Sequence, residues 1–338
     1  MNNLVLMTGI GSYLPKNRVS NLDLSKFVDT SDDWIQQRSG IKFRHFVDKN
    51  ELTSDMATKA SLEALKFSNL EPMDIDLIIL ATTTPDNSFP STASKVQKNL
   101  NSKAISFDIQ AVCAGFVYAL SIATSMLKNS FGKKCLVVGA DSMSKILNWE
   151  DRTTSVLFGD GAGAVILEKY DLKQGYTQND IKWGVLSNSL HTDGSLYDLL
   201  YTDGGISLNQ TSGHIIMSGK DVFKHAVEKL SESFLSTLKE TEFSIKDLDW
   251  LIPHQANQRI INSVANRLNF DSEKVISTVS QHGNTSAASI PLAMDVGIKD
   301  NRIKNGNLLG FQAIGGGLTW GSSIVKFGRP DNLKEICL

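Results

Sequence analysis

Cysteine is scarce and dispersed in this sequence. Cys113, Cys135 and Cys337 are the only three in 338 residues, and no CxxC pair occurs. That usage excludes a secreted disulfide framework and favours a reducing cytoplasm. No apolar run reaches the roughly 18 residues that a membrane-spanning helix needs. No basic residue precedes Lys16, and MNNLVLMTGIGSYLP runs straight into strand-like sequence. A signal peptide is therefore not expected, and a cytoplasmic location is. An excess of one charge is also missing: 34 Lys and Arg against 36 Asp and Glu leave a net charge of −2. Such a balance gives no global attraction to nucleic acid or to an anionic membrane. His45, His191, His214, His225 and His282 show no metal-ligand spacing with one another, so no metal site is expected.

What is present is a hydrophobic content of 41% over a length sufficient for two domain-sized units. Short apolar runs (IDLIILATTT, AISFDIQA, KCLVVGAD, LDWLIPHQ, KVISTVS and NLLGFQAI) alternate with helical patterns, which predicts an α/β protein. The chain also reads as duplicated. Asp76 and Asp249 occupy matching helix-turn-strand segments 173 residues apart, and the same offset takes Cys113 to Ser286 and Leu136 to Leu309. Two similar halves, 1–175 and 176–338, are expected to meet near the polar stretch KYDLKQGYTQND. In such a fold the strand ends of both halves converge, which brings residues near 113, 254 and 284 together.

Cys113 stands between a strand-like run and the helix-like AGFVYAL. A helix N-terminus stabilises thiolate over thiol, so this position predicts a reactive cysteine; a small buried hydrophobe is the alternative. His254 and Asn284 follow two other predicted strands, in WLIPHQANQRI and SQHGNTSAAS. One thiol with two hydrogen-bond donors suits thioester chemistry, although each residue alone is equally compatible with a turn or a cap. FGDGAGAVIL lacks the following helix of a dinucleotide loop and reads as a tight hairpin. AIGGGLTWGSSIVKF reads as a turn into a last strand, with Gly315 to Gly317 letting backbone N–H groups come close to a ligand.

FDIQAVCAGF, IPHQANQRI, HGNTSAAS and GGGLTWGS, in this order, resemble the β-ketoacyl-acyl carrier protein synthase III family of the thiolase superfamily. The similarity extends from GIGSYLPKNRVSN through DTSDDWIQQRSGIKFRH, FPSTASKVQ and EDRTTSVLFGDGAGA to Phe327. The resemblance implies a duplicated five-layer αβαβα fold and the initiating condensation of type II fatty acid synthesis. An acyl-CoA, by default acetyl-CoA, acylates a cysteine, and malonyl-acyl carrier protein then condenses with it as CO2 leaves. No cofactor beyond the acyl-CoA substrate is implied. Carried over residue by residue, Cys113 is the nucleophile, and His254 and Asn284 bind the malonyl thioester oxygen. The backbone N–H groups of Cys113 and Gly316 hold the oxyanion of the tetrahedral intermediate. Trp34 and Arg152 sandwich the adenine of CoA, and Thr30, Arg38, Phe223, Ala256 and Asn257 line the same channel. Lys224 and Arg259 receive the acidic carrier protein, and Phe89 crosses a homodimer interface toward the partner's acyl pocket.

The sequence departs from the pattern in places. Ile314 stands where relatives often carry phenylalanine, which loosens packing around Asn284, and the segment 196–215 that roofs the channel is longer. Cys337 in the tail GRPDNLKEICL is expected to be an exposed thiol. A thiolase would carry a second cysteine in the late glycine-rich segment, and an elongating synthase a histidine at position 284; neither is present. Two readings of other classes stay open at this level: a scaffold that keeps the fold without the activity, and a thiol redox sensor that uses Cys135 as the resolving cysteine.

Overall fold

The run Leu77–Ala81 is buried along its whole length, as expected of a parallel strand covered on both faces. Its side chains alternate between two cores. Leu77, Ile79 and Ala81 face a central cluster, while Ile78 and Leu80 face a separate outer one. The computed structural model describes residues 3–338, and this alternation organises both of its large sheets.

The first sheet has the order Asn3–Tyr13, Gly161–Asp171, Lys134–Asp141, Leu77–Ala81, Ile105–Ile109. Leu77–Ala81 is parallel to both of its neighbours. The second sheet has the order Trp250–Pro253, Leu308–Gly315, Thr319–Lys326, Gly184–Thr192. Between them lie the helices Gly115–Lys128 and Ser289–Lys299, whose Phe116, Leu120, Ile290 and Met294 fill the central cluster together with Val137, Phe311 and Val325. Thr53–Ser68 and Thr92–Leu100 cover the outer face of the first sheet. Gly219–Lys239 and Gln258–Arg267 cover the outer face of the second. The five layers are αβαβα.

The duplication is visible in its details. Asp76 Oδ2 accepts the N–H groups of Lys133 and Lys134 at 2.7 and 2.9 Å, and Asp249 Oδ2 accepts that of Leu308 at 2.7 Å. Beyond these strands the offset becomes 174: Leu77 pairs with Cys135 and Trp250 with Leu309, so Leu309 corresponds to Cys135 and not, as expected, to Leu136. The short turns Val112–Ala114 and Ser286–Ala288 correspond, each opened by a residue of positive φ, +47° at Val112 and +49° at Ser286. Cys113 thus occupies the place of Ala287 in the other half, one residue from the position that the uniform offset gives.

Three expectations are corrected. KVISTVS forms no strand of the second sheet; it keeps one bridge, Val275 to Leu251, and the buried Gln255 amide takes over the missing ladder. That amide donates to the carbonyls of Pro253 and Ile276 and accepts from the N–H of Thr278. FGDGAGAVIL is not a hairpin, because its second part opens the long strand Gly161–Asp171. A Cβ on Gly163 would lie 2.7 Å from Pro291, so glycine there lets the central helix close on the sheet. Cys337 is buried, since the tail folds back to pair with Leu172 and to pack on Leu4 and Leu6.

Candidate active site

Cys113 follows the strand Ile105–Ile109 and sits in the turn that leads into helix Gly115–Lys128. The glycine turn after Leu308–Gly315 closes against it. A Cβ on Gly315 would lie 2.6 Å from the Cys113 nitrogen, so no larger residue fits without moving the Cys113 backbone. Thr319 pins the turn by donating its hydroxyl to the carbonyl of Ala111 at 3.0 Å.

His254 leaves the end of strand Trp250–Pro253, where its N–H donates to the Gln312 carbonyl at 2.7 Å. Its Nδ1 lies 2.6 Å from Ser289 Oγ. Burial pushes the imidazole down to about 3, so the ring is neutral near pH 7. Asn284 is held across the two halves by a bridge to the segment around Phe158. Its side-chain Oδ1 accepts the Ser286 N–H at 2.9 Å, which leaves the Nδ2 amide as the donor.

Cys113, His254 and Asn284 line one cavity of about 470 Å³. Trp34, Arg38, Phe223, Ala256, Asn257 and Arg259 line its outer part. Thr30, Arg152 and Lys224 are not in its wall. Arg152 reaches it through Trp34, with Cζ 5.1 Å from the ring centroid, and Arg38 sits 4.5 Å from the same centroid. The Thr30 hydroxyl is buried without a hydrogen-bond partner. Phe89 is set apart from the cavity, 84% exposed on the loop before helix Thr92–Leu100. A second cavity, about 290 Å³, shares Cys113, Phe158 and Leu200 with the first and is lined by Gly316, Met143, Ile146 and Ile215. The long segment 196–215 roofs both cavities. Leu200–Thr202 pairs with Ile215–Met217; Leu200 and Met217 face the first cavity, and Tyr197, Tyr201 and Thr202 the second.

The thiol differs from its sequence expectation. Burial pushes Cys113 up to about 12, the nearby Asp141 carboxylate adds to the rise, and the Ser286 hydroxyl opposes it. Desolvation favours the thiol form and so works against the helix N-terminus, which favours the thiolate. The other free thiol of the first half is remote. Cys135 pairs with Leu77 at the start of its strand, about 20 Å of strand before the end that meets the site. A disulfide between it and Cys113 needs Cα atoms within about 7 Å.

Sequence reasoning missed Lys220 and Ser289. Lys220 adds a cation to a channel wall that also carries Arg38 and Arg259 and has no carboxylate. Its signal was a lysine beside a glycine at the start of a long amphipathic helix. Ser289 is one of four small residues in SAAS and carries no local signal. Among the described residues no cluster of His, Cys, Asp or Glu could hold a metal ion, and no helix is long and apolar enough to cross a membrane.

A buried thiol at the junction of two cavities shares one of them with a neutral imidazole and an amide donor, on a doubled αβαβα scaffold. The comparisons supply the class. Residues 107–194 match the family model for 3-oxoacyl-[acyl-carrier-protein] synthase III, and residues 238–327 match the model for its C-terminal part. The chain is 51% identical over 320 residues to a β-ketoacyl-[acyl-carrier-protein] synthase III of Erythrobacter litoralis, covering 94% of this chain and 98% of that relative. The crystal structure of the Aquifex aeolicus 3-oxoacyl-[acyl-carrier-protein] synthase III superposes with a TM-score of 0.88 at 44% identity, over 96% of this chain and 100% of the other. A priming β-ketosynthase of the R1128 polyketide pathway gives a TM-score of 0.89 at 29% identity, over 97% of each chain. The chain belongs to the β-ketoacyl-acyl carrier protein synthase III family.

Proposed function

We propose that this enzyme condenses a short acyl-CoA, by default acetyl-CoA, with malonyl-acyl carrier protein through an acyl-cysteine on Cys113. In the first half-reaction the Cys113 sulfur bonds to the acyl carbon, the bond to the CoA sulfur breaks, and the thiol proton ends on CoA. The oxyanion formed in between is held by the backbone N–H groups of Cys113 and Gly316. In the second, the bond between the malonyl α-carbon and its carboxylate breaks and CO2 leaves. The electron pair becomes an enolate whose oxygen is held by the His254 Nε2–H and the Asn284 Nδ2–H. The α-carbon then attacks the acyl-cysteine, which gives 3-ketoacyl-acyl carrier protein and returns Cys113 to the thiol by uptake of a proton.

The observation that carries this reading is the Asn284 side chain. Its oxygen is engaged by the Ser286 N–H, which fixes the amide so that Nδ2 is the donating end, and that suits a developing oxyanion. In this reading the larger cavity takes the pantetheine arm and the smaller one the acyl chain. Residues 1–175 supply the nucleophile, and 176–338 supply the two donors.

CoA enters past Thr30, Arg38, Phe223, Ala256 and Asn257, with its adenine between Trp34 and Arg152. An inserted base needs about 7 Å between the flanking groups, twice a van der Waals contact. Arg152 stands 5.1 Å from the ring and donates to the Asp29 carbonyl at 3.0 Å, so binding swings it outward. Lys224 and Arg259 are exposed, and among the described residues neither is ion-paired; that suits an acidic carrier protein. The unpaired edge of strand Ile105–Ile109 and the exposed Phe89 support a homodimer in which Phe89 reaches the partner's acyl pocket. The site needs no cofactor, and the enzyme works in the cytoplasm.

The test is reconstitution. Purified protein, acetyl-CoA and malonyl-acyl carrier protein should yield 3-ketoacyl-acyl carrier protein by mass spectrometry. Unchanged malonyl-acyl carrier protein with every short acyl-CoA tried would overturn the reading and favour a scaffold.

A further inference from the structure

We propose that Asp160 is a positioning residue that sets how long an acyl chain the smaller cavity accepts, by holding the turn Met143–Ile146 in place as its wall. The inference rests on the reading of that cavity as the acyl pocket. Met143 and Ile146 line it, and both pack with Phe158 and Ile215, which line it too. The turn carries no side-chain cap of its own.

Asp160 supplies the hold from outside. Its Oδ1 accepts the Ser144 N–H at 2.8 Å, and its Oδ2 accepts the Ser144 hydroxyl at 2.5 Å and the Val47 N–H at 2.8 Å. Ser144 lies between the two lining residues, so both of its bonds act on the wall itself. The Val47 bond anchors the carboxylate to the chain just after strand Phe43–Phe46, and the Asp160 N–H donates to the His45 carbonyl of that strand at 2.8 Å. This is the aspartate of FGDGAGAVIL, which the chemistry at Cys113 does not use.

Asp160 is 0% exposed, so bulk water does not replace a bond lost there. Two carboxylate oxygens can serve all of these donors, and an amide cannot. In Asp160→Asn only one oxygen is left. Whichever way the amide turns, its NH2 group faces the N–H of Ser144 or that of Val47, and a buried backbone donor goes unmet. A wall released at Ser144 yields to a longer chain, because only apolar packing then opposes it.

The test is the rate of acyl-enzyme formation by the full-length protein with acetyl-CoA and with hexanoyl-CoA, followed by intact mass. The quantity compared is the hexanoyl-to-acetyl ratio, which a smaller folded fraction leaves unchanged. Asp160→Asn should raise the ratio by about 10-fold, the scale of one methylene of fit in an apolar pocket. Ser144→Ala, which keeps the backbone bond, should raise it less, and Ser144→Thr, which keeps the hydroxyl, should return it to the wild-type value. Ile146→Ala widens the cavity without touching Asp160, and it should raise the ratio as well. If Ile146→Ala does so while Asp160→Asn and Ser144→Ala leave the ratio unchanged or lower it, the proposal is overturned and the acyl-pocket reading stands. If none of the three variants changes it, the acyl chain lies elsewhere and both fail. Should Asp160→Asn not fold, Ser144→Ala decides by the same criterion.

Discussion

Asn284 is paired with Phe158 across the boundary between the two halves. The Asn284 N–H donates to the Leu157 carbonyl at 2.9 Å, and the Gly159 N–H donates to the Asn284 carbonyl at 3.0 Å. Two backbone bonds therefore set the position of a side chain that comes from the other sheet's half of the molecule. Gly159 makes the approach possible, because a Cβ there would stand 2.5 Å from the His282 carbonyl and 3.1 Å from Arg44 Cβ. Gly159→Ala should displace the Asn284 loop. A shift of about 1 Å in a group that acts on the transition state costs on the order of 10²-fold. Malonyl decarboxylation should fall by that order while acylation of Cys113 falls less. Equal losses in both half-reactions would show that the bridge serves the whole site and not Asn284.

His282 supplies a pH test that does not involve catalysis. Burial pushes its imidazole down to about 4, with the neighbouring His45 adding to the depression and Asp295 opposing it. Above about pH 6.5 the ring is neutral in both states and contributes no slope. Between 6.5 and 4 the unfolded chain binds a proton that the folded one does not, so stability falls as pH falls, by about 1.4 kcal/mol per pH unit. His254, pushed down to about 3, acts in the same direction. Asp160 acts against them. Burial raises it to about 6, so between about 3.8 and 6 its contribution to stability grows as pH falls. His282→Gln isolates one proton: urea unfolding between pH 6.5 and 4.5 should show a slope shallower than wild type by about one proton. Parallel curves would place a charged imidazole in the folded protein.

Charge at the channel mouth separates docking from chemistry. Reversing Lys224 and Arg259 to Glu should raise KM for malonyl-acyl carrier protein and leave acylation by acetyl-CoA less affected. Added salt should shrink the difference, because exposed charges are screened beyond roughly 8–10 Å at physiological ionic strength. An equal effect on both substrates would assign these residues to the shared channel. Arg259 is the one to watch for that outcome, since it lines the cavity and stacks 5.6 Å from the Phe223 ring.

The inner strands were legible because they are buried on both faces and read as unbroken apolar runs, as LIILA does at 77–81. The duplication was legible through Asp76 and Asp249, whose carboxylates perform the same task in each half. KVISTVS misled because its β-branched residues suit a strand, while the ladder there is replaced by the side chain of Gln255, a long-range contact without local signature. The tail misled because its burial depends on Leu4 and Leu6, more than 300 residues away. Cys113 was found by its place before a helix, but its protonation depends on desolvation and on Asp141, neither of which a local window contains. Ser289 belongs to the same class: small, next to other small residues, and informative only once His254 is placed beside it.

The central claim is that acylation belongs to Cys113 and decarboxylation to His254 and Asn284. The measurement that tests it most directly is the two half-reactions run separately on Cys113→Ala, His254→Ala and Asn284→Ala: intact mass after acetyl-CoA, and CO2 release from malonyl-acyl carrier protein. Removing one oxyanion donor typically costs on the order of 10²–10³ in rate. His254→Ala and Asn284→Ala should still gain one acetyl group, on Cys113, and lose decarboxylation by that factor. Cys113→Ala should gain no acetyl group and still release CO2. If His254→Ala cannot be acylated yet decarboxylates normally, or if the acetyl group sits on Cys135 or Cys337, the account is wrong.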